Sequence, residues 1–509
     1  MNPQRFLKNS IFNILSGIFT ALVNVGLPPI LARTLEIPTF TAWILLLQIG
    51  AYLNYLNLGG QVVFSKYIAQ ATHANDAMLD KKQTIASGLV FLTGLASVGF
   101  FLLMIAIQFV PFLHQLTEKT SLISLPSLIL VFFSFAVIFP ISGINGYFIG
   151  LQKNQYVFIS NFILRSLIFL SVNLAALRYG SLKSLSWAYA ISHISILIYL
   201  AYLFVINKEG LTFRFEFFNK KRFFEIIHFC SGYSAWSLSM FLVSGVTLTL
   251  VAKFEYSSLA IYSICLSIIT AFTGLHSAIF NNLLPEYSAL EKTFDKKERG
   301  RLLTLQTKSS TTILSAIMLL LLFSGNFLLP IWAGKVFKPG QEWLFDFLIF
   351  ACFIRWTATP YALHLLATNQ QRLGIFSAII EGVATVSMAL LFGSFWGANG
   401  IVWASLLGGI TGIAGNIVLN FKNDQFIIIN VRSYLLQGVI LPVISVIPIA
   451  ACLILEYLFE LRLTILRLGT MLMGFAMLYF YGSGRSLIDA GKHLVSEKLS
   501  HRESASGKA

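Results

Sequence analysis

The feature that most constrains this chain is an apolar run of about 20 residues that recurs along its whole length, the length a helix needs to cross a bilayer. About 14 such runs follow one another, from Ser10–Ala32 to Thr464–Gly482. No connection between them exceeds roughly two dozen residues, which leaves little room for a separate extramembrane domain. Composition supports the same reading: of 509 residues, 56% are hydrophobic and only 11% are charged. A soluble globular protein carries about 25% charged residues, so this chain lacks the polar surface that water requires. A soluble enzyme, a disordered chain and a nucleic-acid binder are excluded. The net charge of +15 fits basic loops collected on one membrane face. The expected fold class is an all-α polytopic membrane protein.

Charge also orients the chain. With the N-terminus placed inside and the spans alternating, 25 of the 36 Lys and Arg residues fall on the inner side and 9 on the outer, while Arg165 and Arg355 lie within spans. That bias predicts both termini on the cytoplasmic side and an even helix count. The first run, behind Arg5 and Lys8, continues without a small-residue cleavage site and is expected to be a retained helix.

Internal likeness suggests duplication. Asp80-Lys81-Lys82 and Asp295-Lys296-Lys297 are 215 residues apart, since 295 − 80 = 215. Trp187-Ala188 and Trp403-Ala404 are 216 apart, as are Arg165 and Glu381. Ala32-Arg33-Thr34-Leu35-Glu36 resembles Ala252-Lys253-Phe254-Glu255. These matches predict two six-helix pseudo-repeat lobes (residues 1–210 and 220–425), two further C-terminal helices (430–484) and a cytoplasmic tail (485–509), the lobes sharing one orientation as parallel repeats do.

Cys230, Cys265, Cys352 and Cys452 are widely separated in apolar runs, which argues against a disulfide framework or a zinc site. No phosphate-binding glycine loop precedes Gly334-Lys335, because position 329 is Leu, and no HExxH helix occurs.

Ionisable groups inside apolar spans are therefore the strongest functional signal, since the bilayer interior makes charge costly. Arg165 lies on a stripe with Asn161, Phe169 and Asn173; Glu381 lies with Ser377 and Thr385; Arg355 is followed one turn on by Thr359. His276 lies in the eighth span, and the first span carries Asn13, Gly17, Thr20, Asn24 and Pro28 on one face. Such stripes belong against a water-filled cavity or a neighbouring helix rather than lipid. Pro28-Pro29, Pro140 and Pro360 are expected to kink their helices, and Gly146–Gly150 and Gly408–Gly412 to pack closely.

Several motifs resemble those of the polysaccharide transporter branch of the multidrug/oligosaccharidyl-lipid/polysaccharide (MOP) flippase superfamily, the O-antigen flippase type. They are Ile30-Leu31-Ala32-Arg33-Thr34-Leu35 with Phe40 and Trp43, Asn57-Leu58-Gly59-Gly60 with Lys66-Tyr67-Ile68-Ala69, Gly150-Leu151-Gln152-Lys153-Asn154 with Asn161, and Leu284-Pro285-Glu286-Tyr287-Ser288-Ala289-Leu290. The resemblance implies a V-shaped pair of lobes and export of a polyprenyl-pyrophosphate-linked oligosaccharide across the bacterial inner membrane by alternating access, for O-antigen-like surface polysaccharide. It implies the lipid-linked glycan as substrate, a polysaccharide polymerase and chain-length machinery as partners, and no nucleic acid.

Arginine suits a pyrophosphate because its planar guanidinium donates two parallel hydrogen bonds and keeps its charge. On this reading Arg165 and Arg355 form a cationic cavity, with Arg33, Lys253, Asn161 and Asn24 as further substrate contacts. A permanent pairing of Arg165 with Glu381, and simple snorkelling of Arg33 and Lys253 to the interface, stay open. Glu381 and His276 are the candidates for ion coupling, by H+ or Na+, against a fixed ion pair and a hydrogen-bonded histidine. No other cofactor is expected. The alternatives are a cation-coupled multidrug exporter of the same superfamily, which calls for acidic residues in the N-terminal lobe, and a membrane glycosyltransferase or polysaccharide polymerase, which calls for a sizeable external loop. With no such loop, an enzyme is not expected.

Overall fold

The computed structural model describes residues 3–57, 59–71, 77–109, 122–206, 214–280, 295–368, 370–459 and 463–482. All regular structure among them is helical, because a segment in hydrocarbon must satisfy its own backbone hydrogen bonds. The protein is an all-α polytopic membrane protein. The first helices are α1 (Pro3–Thr34), α2 (Ile37–Leu56), α3 (Gly60–Ala71), α4 (Ala77–Phe109), α5 (Leu125–Gly150), α6 (Asn154–Tyr179) and α7 (Leu182–Ile206). There follow α8 (Lys220–Met240), α9 (Thr247–Phe254), α10 (Leu259–Phe280), α11 (Lys296–Ala333), α12 (Glu342–Trp356), α13 (Thr359–Ala367) and α14 (Gln371–Gly415). The chain closes with α15 (Val431–Ile444), α16 (Ile447–Phe459) and α17 (Thr464–Tyr481). The Leu284–Leu290 motif, Leu58 and the tail from 485 onward lie outside the described residues.

Eleven helices among the described residues are long and apolar enough to cross a membrane, or twelve with the bent pair α15–α16 counted as one span. The expectation of about 14 spans differs from this count, and two backbone breaks bear on the difference. Inside α14, Gly397 has φ 57°, so this 45-residue stretch is two helices meeting at a corner. Glycine adopts that backbone without a Cβ clash, and the Glu255 carboxylate accepts the Ala398 N–H at 2.8 Å just past it. The tenth apolar run is divided between α12, of 15 residues, and α13, of 9, each too short to span alone. Pro360 sits in the first turn of α13, where its missing N–H costs no hydrogen bond.

The two ends of the bundle differ in how their cores are built. At the far end, where α1 and α11 finish, one apolar core joins residues of both halves, including Leu31, Trp43, Leu250, Leu329 and Phe345. At the opposite end, rich in Lys and Arg, the core separates. Ile68, Tyr147 and Phe204 belong to one cluster, and Leu303, Tyr361 and Tyr434 to another. A small third cluster of Val63, Ile226 and Cys230 fastens the start of α8 to α3. Arg222, also at the start of α8, pairs with Asp80 of α4 at 2.9 Å. Further along, α8 leans on α14, where a Cβ on Gly382 would lie 3.2 Å from the Ser239 carbonyl. Helix α8 thus leaves the first half at the basic end and joins the second half deeper in the bundle.

The two GxxxG pairs do pack closely. A Cβ on Gly146 would sit 2.6 Å from the Gln61 carbonyl, and one on Gly150 2.8 Å from that of Ser65. Gly408 and Gly412 lie against Thr385 and Glu381.

Candidate functional site

Helix α1 shows how the sequence sets the site. Leu15 and Leu22 are exposed on its outer side. Gly17, Thr20 and Asn24 fall on the opposite side of the same helix, at a period of about 3.6 residues. Asn24 is exposed there. On the flank between, Phe19 meets Phe162 of α6 at 4.3 Å, and Asn161 donates through Nδ2 to Ser16 Oγ at 3.4 Å.

At the far end, side chains close the seam between the halves on carbonyls that the helices leave spare. Pro29 has no N–H to offer Val25 O, and Trp332 Nε1 donates to that oxygen at 3.0 Å. Ile331 is in the last turn of α11, where carbonyls lack helical partners, and Arg33 donates to it. The chain then turns at Gly334, with φ 54°, beneath the Arg33 stem. A π-turn at 241–245 interrupts the helix between α8 and α9, and Gln48 Nε2 donates to Gly245 O at 2.6 Å. Arg33 is therefore a seam residue, exposed but engaged. Lys253, also exposed, lies 5.2 Å from the Phe254 ring centroid.

Arg165 is half-buried on α6, off the outward stripe of Leu170, Leu174 and Leu177. Its polar neighbours are Tyr189 and His193 of α7. His193 is occupied with the Tyr189 carbonyl at 2.9 Å, and Tyr189 packs edge-on to Trp43. Arg165 has no carboxylate partner among the described residues.

Arg355 is placed differently. It closes α12, and its Nε donates to Glu381 Oε1 at 2.5 Å, while Nη2 reaches the Ser405 carbonyl at 3.3 Å. Glycine at 412 leaves room for the Glu381 carboxylate. Glu381 thus pairs with Arg355, not with Arg165. The structure does not bring His276 to this pair by any hydrogen bond; its Nε2 meets Ser310 Oγ at 2.8 Å, and its ring packs on Phe280.

Two polar clusters escaped sequence reasoning. In the first, Asp346 of α12, Glu456 of α16 and Arg467 of α17 are gathered near the far end. Arg467 Nη2 bonds Glu456 Oε2 at 2.5 Å, and Arg467, in the first turn of α17, is only 4% exposed. In the second, at the basic end, Asp424 accepts from His364 Nε2 at 3.2 Å, Gln370 Nε2 at 3.0 Å and Phe426 N at 2.9 Å. Burial opposes the Asp424 charge, but these hydrogen bonds outweigh it and hold the carboxyl below its ordinary range. Acidic residues interrupting apolar runs were the available signal for Asp346 and Glu456.

With this geometry in view, the profile of the polysaccharide biosynthesis protein family matches residues 6–291. The chain belongs to that family. No curated protein matches it. Among solved structures, the lipid II flippase MurJ in an inward closed conformation is similar at a TM-score of 0.65 and 14% identity, covering 95% of this chain and 99% of that one. A multidrug resistance MATE family transporter of the MOP superfamily, facing inward, gives 0.63 and 15%, with 82% and 96% covered. An outward-facing MATE transporter gives 0.50 and 14%, with 82% and 95% covered. The chain shares the fold of these solved membrane transporters and flippases.

Proposed function

We propose that the chain is a flippase that moves a polyprenyl-pyrophosphate-linked oligosaccharide across the bacterial inner membrane by alternating access, for O-antigen-like surface polysaccharide. The observation that carries this reading is Arg165: a half-buried guanidinium within a span, with no carboxylate to neutralise it among the described residues. A phosphate headgroup supplies the missing charge and fits the guanidinium fork. Asn161 and Asn24 offer polar contacts along α6 and α1. Arg355, already bonded to Glu381, keeps less donor capacity for substrate.

In this proposal the basic end faces the cytoplasm with both termini. The joined core and carbonyl-bound seam at the far end, against separate cores at the basic end, support a state open to the cytoplasm. Ion-gradient coupling, by H+ or Na+, and work alongside a polymerase and chain-length machinery belong to the same proposal. The multidrug-exporter alternative wants a carboxylate within the N-terminal spans. Through residue 206 the acids are Glu36, Asp76, Asp80 and Glu118, all outside the apolar segments.

The test is complementation of a flippase-deleted strain at matched membrane levels of protein. Arg165→Ala should abolish most surface polysaccharide and leave lipid-linked sugar on the cytoplasmic side. Arg165→Lys should keep part of the activity, since charge survives but the planar fork does not. Full surface polysaccharide from Arg165→Ala would refute the proposal.

A further inference from the structure

We infer that Asp346 holds an exchangeable proton at the junction of α12, α16 and α17. Asp346 is 7% exposed, and its buried Oδ1 has no hydrogen-bond partner. Around it the other charges are already spent on one another. Glu456 Oε1 accepts the Leu463 N–H at 3.0 Å and Oε2 accepts from Arg467. Arg467 gives Nη1 to the Leu322 carbonyl at 3.3 Å, and its Nε is buried without a partner.

The titratable groups that reach Asp346 are Arg467 from α17, Glu456 from α16, Glu342 from its own helix and Cys265 from α10. Helix α11 presents Leu322 and Gly325 there. Arg467 and Glu456 cancel, so an ionised Asp346 would be an uncompensated anion in a dry setting, which a carboxyl avoids by binding a proton. A metal ion is the poorer occupant. No group of three His, Cys, Asp or Glu able to hold one occurs among the described residues, and both Glu456 oxygens are already engaged in hydrogen bonds.

The arrangement also contains a release step. The buried Nε–H of Arg467 has no partner. When the guanidinium turns toward Asp346, the carboxyl O–H bond breaks, the proton passes to water at the far end, and the carboxylate takes the new hydrogen bond. Glu456 keeps its bond to the Leu463 amide meanwhile, so the turn between α16 and α17 stays fixed. Any use of this proton to drive transport rests on the flippase reading; the proton site does not.

Infrared difference spectroscopy of the purified full-length protein, without substrate, tests the site separately from transport. At pH 7 the wild-type minus Asp346→Asn spectrum should show a protonated-carboxyl C=O band that shifts in D2O. Carboxylate bands in its place would overturn the inference. Asp346→Glu serves if the asparagine variant fails to fold: the acid band should move in frequency, and an unmoved band is equally adverse. Glu456→Gln should release Arg467 to Asp346 and replace the acid band with carboxylate bands; a persisting acid band would refute the exchange.

Discussion

Arg165 and Glu381 stand 216 residues apart, one in each half, and the surroundings of these two charges are opposite in kind. Glu381 is bonded to Arg355, with Ser405 holding the other side of the guanidinium. Taking 216 from 355 gives position 139, which in the first half is Phe139, fully buried. Arg165, by contrast, has no carboxylate partner among the described residues. A charge satisfied within its own half stabilises that half. One that is not satisfied remains available to a ligand.

Substitutions can break or sharpen this contrast. The largest stability effect is expected for Arg355→Met, which strands Glu381 and should cost about 3–5 kcal/mol. The loss would appear as a lower melting temperature in detergent, and the double variant Arg355→Met/Glu381→Met should recover most of it. A single variant melting with the wild type would remove the distinction between the halves. Asp424→Asn extends the test to a second internally satisfied carboxyl, with an expected loss of about 1–3 kcal/mol at neutral pH. Because the folded Asp424 titrates below its unfolded value, its stabilisation is complete above about pH 3.9 and disappears as pH falls through the lower folded value. The gap between wild type and variant should therefore close in acid; a gap that widens there contradicts the assignment. Smallest of all, Arg165→Met should shift stability by no more than about 1 kcal/mol, since no carboxylate loses a partner. A loss as large as that of Arg355→Met would show that Arg165 is a structural residue.

Much of the architecture could be read from the chain because bilayer thickness imposes one length on every span, and a polar stripe such as Thr20–Asn24 has few places to face. Helix breaks were legible in part. Gly397 falls between the apolar runs Gly374–Phe395 and Gly400–Phe421, but the meeting of the Glu255 carboxylate and the Ala398 amide beside its positive φ is a contact that only packing reveals. Pairing was hardest. Arg165, Arg355 and Glu381 were all visible as charges in lipid, but which cation meets the carboxylate depends on how α12 lies against α14. The burial of Arg467, one of the nine basic residues assigned to the outer side, follows only from the packing around α16 and α17.

The spare carbonyls of Val25, Gly245 and Ile331 carry a consequence for divergence. A bond between two side chains demands that both positions change in concert. Here only Trp332, Gln48 and Arg33 are genetically specified, whereas each acceptor belongs to the main chain and survives almost any replacement at its own site. The latch between the halves can therefore persist while the residues on its receiving side drift freely, provided that Pro29, the π-turn and the end of α11 keep their places.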